Sequence, residues 1–139
     1  MAIQSALCTS FRQEILSGVH DVLNDDLRIA LFDADSGLNT QTTEYTTSNE
    51  VVGPGYDAGG LLLTGKNIVV DNDVVVLDFD DPQWFAASFT ARVALVYNAS
   101  KANRAIAVID LQFNRTGTGG AFTLVLPPPT STAGLIRLR

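Results

Sequence analysis

The feature that most constrains the fold is a series of short apolar segments in the second half of the chain, separated by turn-forming residues. The clearest are Val74–Phe79, Phe89–Tyr97 and Ala105–Phe113. They recur about every 8–12 residues, the spacing typical of antiparallel β proteins. Strand segments do not alternate with helical ones, so a parallel nucleotide-binding sheet is not expected.

Shorter segments complete this pattern. Asp71-Asn72-Asp73 is predicted as a hairpin turn, the polar stretch 33–56 as a long loop, and Pro127-Pro128-Pro129 as an extended link without regular pairing. We therefore predict a mainly β protein, an antiparallel β-sandwich or barrel of about seven to eight strands. It would form a single domain over 1–139, with a β core at 27–126 and a tail at 127–139. The remaining predicted strands are 27–32, Leu61–Leu63, Ile68–Val70, Phe122–Leu126 and Leu135–Leu138.

One helix is predicted at the N-terminus, over residues 1–19. Ile3, Leu7, Phe11 and Ile15 recur every four residues, which would form an apolar stripe on one helix face. Gly18 is a typical residue for ending such a helix.

Composition excludes several classes of function. The 139 residues carry a net charge of −6, which argues against a nucleic-acid partner and against binding to a membrane surface. A single cysteine and a single histidine leave little for metal or nucleophilic chemistry. Only 17% of the residues are charged, which is low for a free monomer and suggests a surface covered by other subunits.

The remaining candidate sites carry no specific motif, and we expect no catalytic residue, cofactor or metal. Cys8 and His20 are too far apart along a helix to form a dyad, so Cys8 is interpreted as a packing residue and His20 as a helix C-terminal cap. Acidic residues near two strand ends could bind a cation, although turn formation is the simpler explanation. They are Asp71, Asp73, Asp78, Asp80 and Asp81.

Several segments, in this order and spacing, resemble a family of small virion structural proteins of tailed bacteriophages and cyanophages. The segments are MAIQSALCTSFRQEILSGVH, LRIALFDADSGLN, TTEYTTSNEVVGPGYDAGGLLLTG, FDDPQW and FTARVALVYNASKANRAIAVIDL, which together reach about Phe113. NEVVGPGYDAGG and ARVALVYNASKANRAIAV are the most specific. The resemblance implies a non-enzymatic decoration or cement protein on the capsid exterior. Its partners would be the major capsid protein and copies of itself, in a trimer.

Two other functions remain open at this point. One is a head–tail connector, tail or baseplate subunit, and the other is a carbohydrate-binding β-sandwich that uses Trp84 and Tyr56 for host adsorption. In the capsid interpretation the N-terminal helix, the 33–56 loop and the tail would act as arms that clamp neighbouring subunits. The residues predicted to lie at the protein interface are Asn49, Glu50, Tyr56, Trp84, Phe85, Arg92 and Arg104.

Overall fold

A computed structural model describes residues 4–138 of the chain. Within that range it contains ten β-strands and one α-helix. In chain order they are β1 (Gln4–Leu7), α1 (Thr9–Leu16), β2 (Leu27–Phe32), β3 (Leu61–Leu62), β4 (Asn67–Asp71), β5 (Val74–Asp78), β6 (Gln83–Trp84), β7 (Thr90–Asn98), β8 (Arg104–Thr116), β9 (Phe122–Thr123) and β10 (Ile136–Leu138).

The largest unit, called the large sheet below, is a five-stranded antiparallel sheet with the strand order β1-β8-β7-β2-β3. Its centre is the hairpin of β7 and β8, which the sequence predicts from two long apolar segments. Positions 94–98 and 105–109 are buried without interruption, so both faces of the sheet are covered there. This explains why these strands are apolar at successive positions and do not alternate strictly with polar residues.

A second, three-stranded antiparallel sheet has the order β10-β5-β4 and is called the small sheet below. The turn between β4 and β5 consists of Asn72 and Asp73, both with positive φ (49° and 63°), as in a two-residue type I′ turn. The sequence predicts this hairpin correctly. A short β6–β9 pair forms the third sheet and aligns Trp84 with Phe122.

The N-terminal segment differs from its prediction. Residues 4–7 form strand β1, which pairs antiparallel with residues 107–110 of β8, and the helix covers only Thr9–Leu16. The Cys8 backbone N–H donates to the Ile106 carbonyl oxygen at 2.9 Å, which carries the sheet pairing up to the first turn of α1. The predicted stop is correct, because Gly18 adopts a φ of +77° just beyond the helix. Ile3, the first member of the predicted stripe, lies outside the described residues.

The predicted class, mainly β with antiparallel sheets and one helix, is confirmed. Ten strands replace the expected seven or eight, because β1 forms within the predicted helix and β6 forms in a segment that was not predicted as a strand. Strand β9 ends at Thr123, three residues before the predicted end of that segment. Strands β1 and β10 both lie outside the predicted core range 27–126, so the two ends of the described chain belong to sheets.

The helix and both larger sheets contribute to one hydrophobic core. Phe11 is the only fully buried residue of α1, and it shares this core with Ile106 of β8 and Leu77 of β5. Helix α1 contacts β8 and also faces the apolar side of the small sheet, where a crevice of about 110 Å³ remains. The core therefore extends from the large sheet, past α1, to the small sheet.

Candidate interaction surface

The predicted interface residue Glu50 lies inside the protein. Only 9% of the Glu50 surface is exposed. The hydroxyl groups of Tyr45 and Tyr56 each donate a hydrogen bond to its carboxylate at 2.5 Å, and the Gly59 backbone N–H donates a third at 2.8 Å. A buried carboxylate with three donors holds together the segment that surrounds it. We therefore assign Glu50 a structural role in this chain.

Further contacts attach residues 45–60 to the large sheet. Tyr97 of β7 donates to the Gly59 carbonyl oxygen at 2.6 Å, and the Arg28 guanidinium of β2 donates to the Gly60 carbonyl oxygen at 2.8 Å. The rings of Tyr45 and Tyr97 stack with their centroids 4.6 Å apart. The 33–56 segment, expected to be an arm, is thus docked on its own sheet near residues 45–60.

These contacts also set the acidity of the tyrosines. Burial, together with the adjacent Glu50 carboxylate, raises the pKa of both Tyr45 and Tyr56 far above the ordinary value of 10. Both phenols therefore stay protonated at neutral pH and act as hydrogen-bond donors to Glu50.

Trp84 is another predicted surface residue that the fold buries. It is 3% exposed, packs beside Tyr56 with ring centroids 6.5 Å apart, and meets the edge of Phe122 at 5.9 Å. Neither Trp84 nor Tyr56 offers an exposed ring face on which a sugar could stack. This removes the platform on which the carbohydrate-binding interpretation depends.

Phe85 and Asn49 do reach the surface. Phe85 directly follows Trp84 and is 69% exposed, whereas Asn49 is exposed at a positive φ of 63°. The Phe85 backbone lies next to the 53–55 turn, since a Cβ atom on Gly55 would lie 2.7 Å from the Phe85 carbonyl oxygen. Of the seven predicted interface residues, Phe85, Asn49 and Arg104 are exposed.

The two predicted arginines are engaged within the chain. The Arg92 guanidinium pairs with Asp110 across β7 and β8, and Arg104 pairs with Glu14 of α1 at 2.7 Å. The Gln112 backbone N–H and the Arg92 guanidinium, against the opposing effect of burial, lower the pKa of Asp110. Both arginines remain partly exposed, so a partner would have to share or replace these ion pairs.

His20 lies at the centre of a buried polar network that the sequence does not reveal. Its Nε2 lies 2.9 Å from the Glu14 carboxylate, and its Nδ1 lies 3.0 Å from the Asn98 side-chain nitrogen. Asn98 uses the same amide group to donate to Asp25 at 2.8 Å, so its nitrogen is the donor to both neighbours. In this arrangement Nδ1 is placed to accept from Asn98, and Nε2 is placed to donate to Glu14. The predicted helix cap is replaced by this bond to the Glu14 side chain.

This network and Cys8 carry no nucleophilic dyad. Both ring nitrogens of His20 already have partners in Glu14 and Asn98. Burial, reinforced by the nearby negative charge of Glu14, raises the pKa of Cys8 to about 11. The predicted packing role of Cys8 agrees with its complete burial.

Three of the five acidic residues at the strand ends accept hydrogen bonds from residues that are distant along the chain. Asp71 accepts from the Ser131 backbone N–H at 2.7 Å, and Asp81 accepts from the Leu126 backbone N–H at 2.9 Å. Asp80 accepts from the Thr64 hydroxyl at 3.3 Å. Between residues 4 and 138, no three His, Cys, Asp or Glu side chains are grouped so that they could hold a metal ion.

Ten large apolar side chains are exposed in the described part of the chain. One group, Ile68, Val70 and Val75, lies on one face of the small sheet, as the register of β4 and β5 requires. Helices long and apolar enough to cross a membrane are absent from the described part of the chain. The exposed large apolar residues there are Leu16, Leu23, Val52, Leu62, Ile68, Val70, Val75, Phe85, Phe113 and Val125.

Comparisons with protein-family models, with curated proteins and with solved structures gave no match.

Proposed function

We propose that this chain is a non-enzymatic structural protein of a tailed-phage virion, acting as a decoration or cement protein on the outside of the capsid. The resemblance of its ordered sequence segments to small virion proteins supports this setting. Its partners would be the major capsid protein and further copies of the chain. A subunit of the neck, tail or baseplate is the alternative that the same resemblance leaves open.

The observation that carries the proposal is that large apolar side chains are exposed on the surface, outside the hydrophobic core. Val52 is 94% exposed and Phe85 69% exposed, while the neighbouring aromatic residue Trp84 is buried. Val52 directly precedes the 53–55 turn, and the Phe85 backbone packs against that turn, since a Cβ atom on Gly55 would lie 2.7 Å from the Phe85 carbonyl oxygen. We call Val52 and Phe85 the Phe85 surface. Exposed apolar patches of this kind commonly mark protein-binding sites.

The tight folding of the chain also fits a clamping role. Pairing of β1 with β8 and of β10 with β5 fixes both ends of the described chain in sheets. Glu50 and its three donors hold the 33–56 segment in place. A protein that bridges capsid subunits gains from such rigidity, because little conformational entropy is lost on binding.

The proposal is tested by mixing the purified chain with shells assembled from the major capsid protein of the same phage. We expect binding to expanded shells, measured by co-sedimentation and light scattering. Phe85→Ser should weaken this binding about tenfold or more, since it removes a large apolar side chain from the contact. Phe113→Ser, at another exposed phenylalanine on β8, serves as the matched control and should change affinity less than about twofold.

Other results would contradict the proposal. A wild-type chain that does not bind shells and forms rings of six or twelve copies would indicate a neck or tail subunit. A chain that binds neither shells nor itself would remove the virion role altogether.

A further inference from the structure

Strand β4 is an unprotected edge of the small sheet. The strand order β10-β5-β4 gives it a neighbour on one side only. Its apolar side chains Ile68 and Val70 remain partly exposed, Val70 by 68%. Proteins usually protect such edges with proline, lysine or a bulge. Residues 67–71 read Asn-Ile-Val-Val-Asp and pair with β5 in continuous register, so none of these protections is present in β4.

The hairpin geometry determines which backbone groups point outward. In a two-residue hairpin the residues flanking the turn, here Asp71 and Val74, form a hydrogen-bonded pair, and the pairing alternates from there. Residues 67, 69 and 71 therefore bond to β5. Ile68 and Val70 direct their N–H and C=O groups toward the free edge, which leaves four backbone groups without a partner strand there.

We propose that β4 pairs antiparallel with β4 of a second copy, around a twofold axis that passes through Val69. In this register Ile68 lies opposite the partner's Val70, and Val70 lies opposite the partner's Ile68. Each of these two pairs can form two backbone hydrogen bonds, so all four outward groups are satisfied. The two three-stranded sheets become one six-stranded sheet.

The side chains of β4 are complementary to themselves in this register. Each isoleucine faces a valine, and Asn67 faces the partner's Asp71. The Oδ2 atom of Asp71 already accepts from Ser131, which leaves Oδ1 for the amide of the partner's Asn67. No like charges lie opposite each other, and apolar cross-strand pairs stabilise sheets. This self-complementarity favours a second copy over an unrelated strand as the occupant of the edge.

The inference specifies the self-association part of the proposed function but does not depend on the capsid. Dimerisation through β4 without binding to capsid shells would support this inference and contradict the proposed function. Binding of a monomeric chain to shells would support the proposed function and contradict this inference.

The first test measures mass against concentration by analytical ultracentrifugation, starting from a chain mass of 14.8 kDa. We expect reversible formation of a dimer. Val70→Lys should raise the dimer dissociation constant at least about tenfold, because it places two charges in the paired edge. Val125→Lys is the matched control, since Val125 is also an exposed valine but lies outside the small sheet and outside the Phe85 surface. It should leave the dissociation constant within about twofold. Circular dichroism checks that both variants fold.

The second test addresses the register. Val69 would face the partner's Val69 across the twofold axis, so Val69→Cys should form an intermolecular disulfide under mild oxidation. Val125→Cys, at an exposed site outside the small sheet, should cross-link much more slowly. The native Cys8 is buried and does not compete.

Three results would overturn the inference. They are a monomer at all concentrations, a trimer or dimer whose mass Val70→Lys does not change, and cross-linking of Val69→Cys no faster than that of Val125→Cys. Protection of Ile68 and Val70 from amide hydrogen exchange only after the capsid protein is added would likewise assign the edge to a foreign strand.

Discussion

Asp25 shows how single buried charges make this fold depend on pH. Burial opposes its ionisation, but hydrogen bonds from Asn98, from Lys101 and from the Asp21 backbone N–H outweigh that effect and hold its pKa at about 2. The unfolded value is 3.8, so the folded state prefers the charged form more strongly than the unfolded state does. The stability that Asp25 contributes is therefore complete above pH 3.8 and is lost as the pH falls through about 2.

We predict that Asp25→Asn lowers the free energy of unfolding at neutral pH and flattens its decline between pH 3.8 and about 2. Urea denaturation across that range measures both effects. Asp26→Asn is the control, because Asp26 is exposed and its carboxylate makes no hydrogen bond with another described residue. If Asp25→Asn and the wild type declined in parallel, the assigned role of Asp25 would be wrong.

Residue by residue, the sequence predicts buried apolar positions better than buried polar ones. Glu50 and Tyr56 lie in a polar, glycine-rich segment, and such residues are exposed in most proteins. Their burial depends on partners such as Leu31, whose backbone N–H donates to the Tyr56 hydroxyl at 3.0 Å from 25 positions away. Nothing in the local pattern encodes that contact, so a surface role is the natural but incorrect expectation for their side chains.

At the scale of elements, the N-terminal segment shows where periodicity fails. Leu7 and Phe11 are four residues apart, as on a helix face, yet they belong to β1 and α1 respectively. Pairing with β8 decides the structure of residues 4–7, and that pairing joins positions about a hundred residues apart along the chain. The β4–β5 hairpin is predictable for the opposite reason, since its turn and both strands are contiguous.

The β2–β3 pairing yields a prediction about Gly60, which precedes β3. Gly60 has a φ of +78°, and a Cβ atom there would lie 1.8 Å from the Ile29 carbonyl oxygen of β2. Gly60→Ala must therefore push the two strands apart in addition to straining the backbone. We expect it to lower the free energy of unfolding by about 3 kcal/mol or more.

Gly37→Ala provides the matched control for this prediction. Gly37 has a similar φ of +70°, but a Cβ atom there would meet nothing within 4 Å. It should cost only the backbone strain, about 1 kcal/mol. Equal losses in the two variants, measured by denaturant titration, would show that contact between Gly60 and β2 is unimportant.

For the whole molecule, the question is whether the two larger sheets unfold as one unit. Ile136 of β10 is buried and pairs with Leu77 of β5, and both belong to the same continuous core as Phe11 and Ile106. Helix α1 lies between β8 and the apolar face of the small sheet, so loss of packing on that face also removes support from α1. A core that is shared in this way predicts a single cooperative transition.

Ile136→Ala tests this cooperativity. It should lower the free energy of unfolding by about 2–5 kcal/mol, because it leaves a cavity beneath β10. Trp84, the only tryptophan, lies in β6 outside the small sheet, so its fluorescence reports from another part of the molecule. We expect its transition midpoint to fall together with that of far-ultraviolet circular dichroism, whereas the exposed-site control Val125→Ala leaves both unchanged. A Trp84 midpoint that stayed at the wild-type value while the circular dichroism midpoint fell would instead show that the small sheet unfolds on its own.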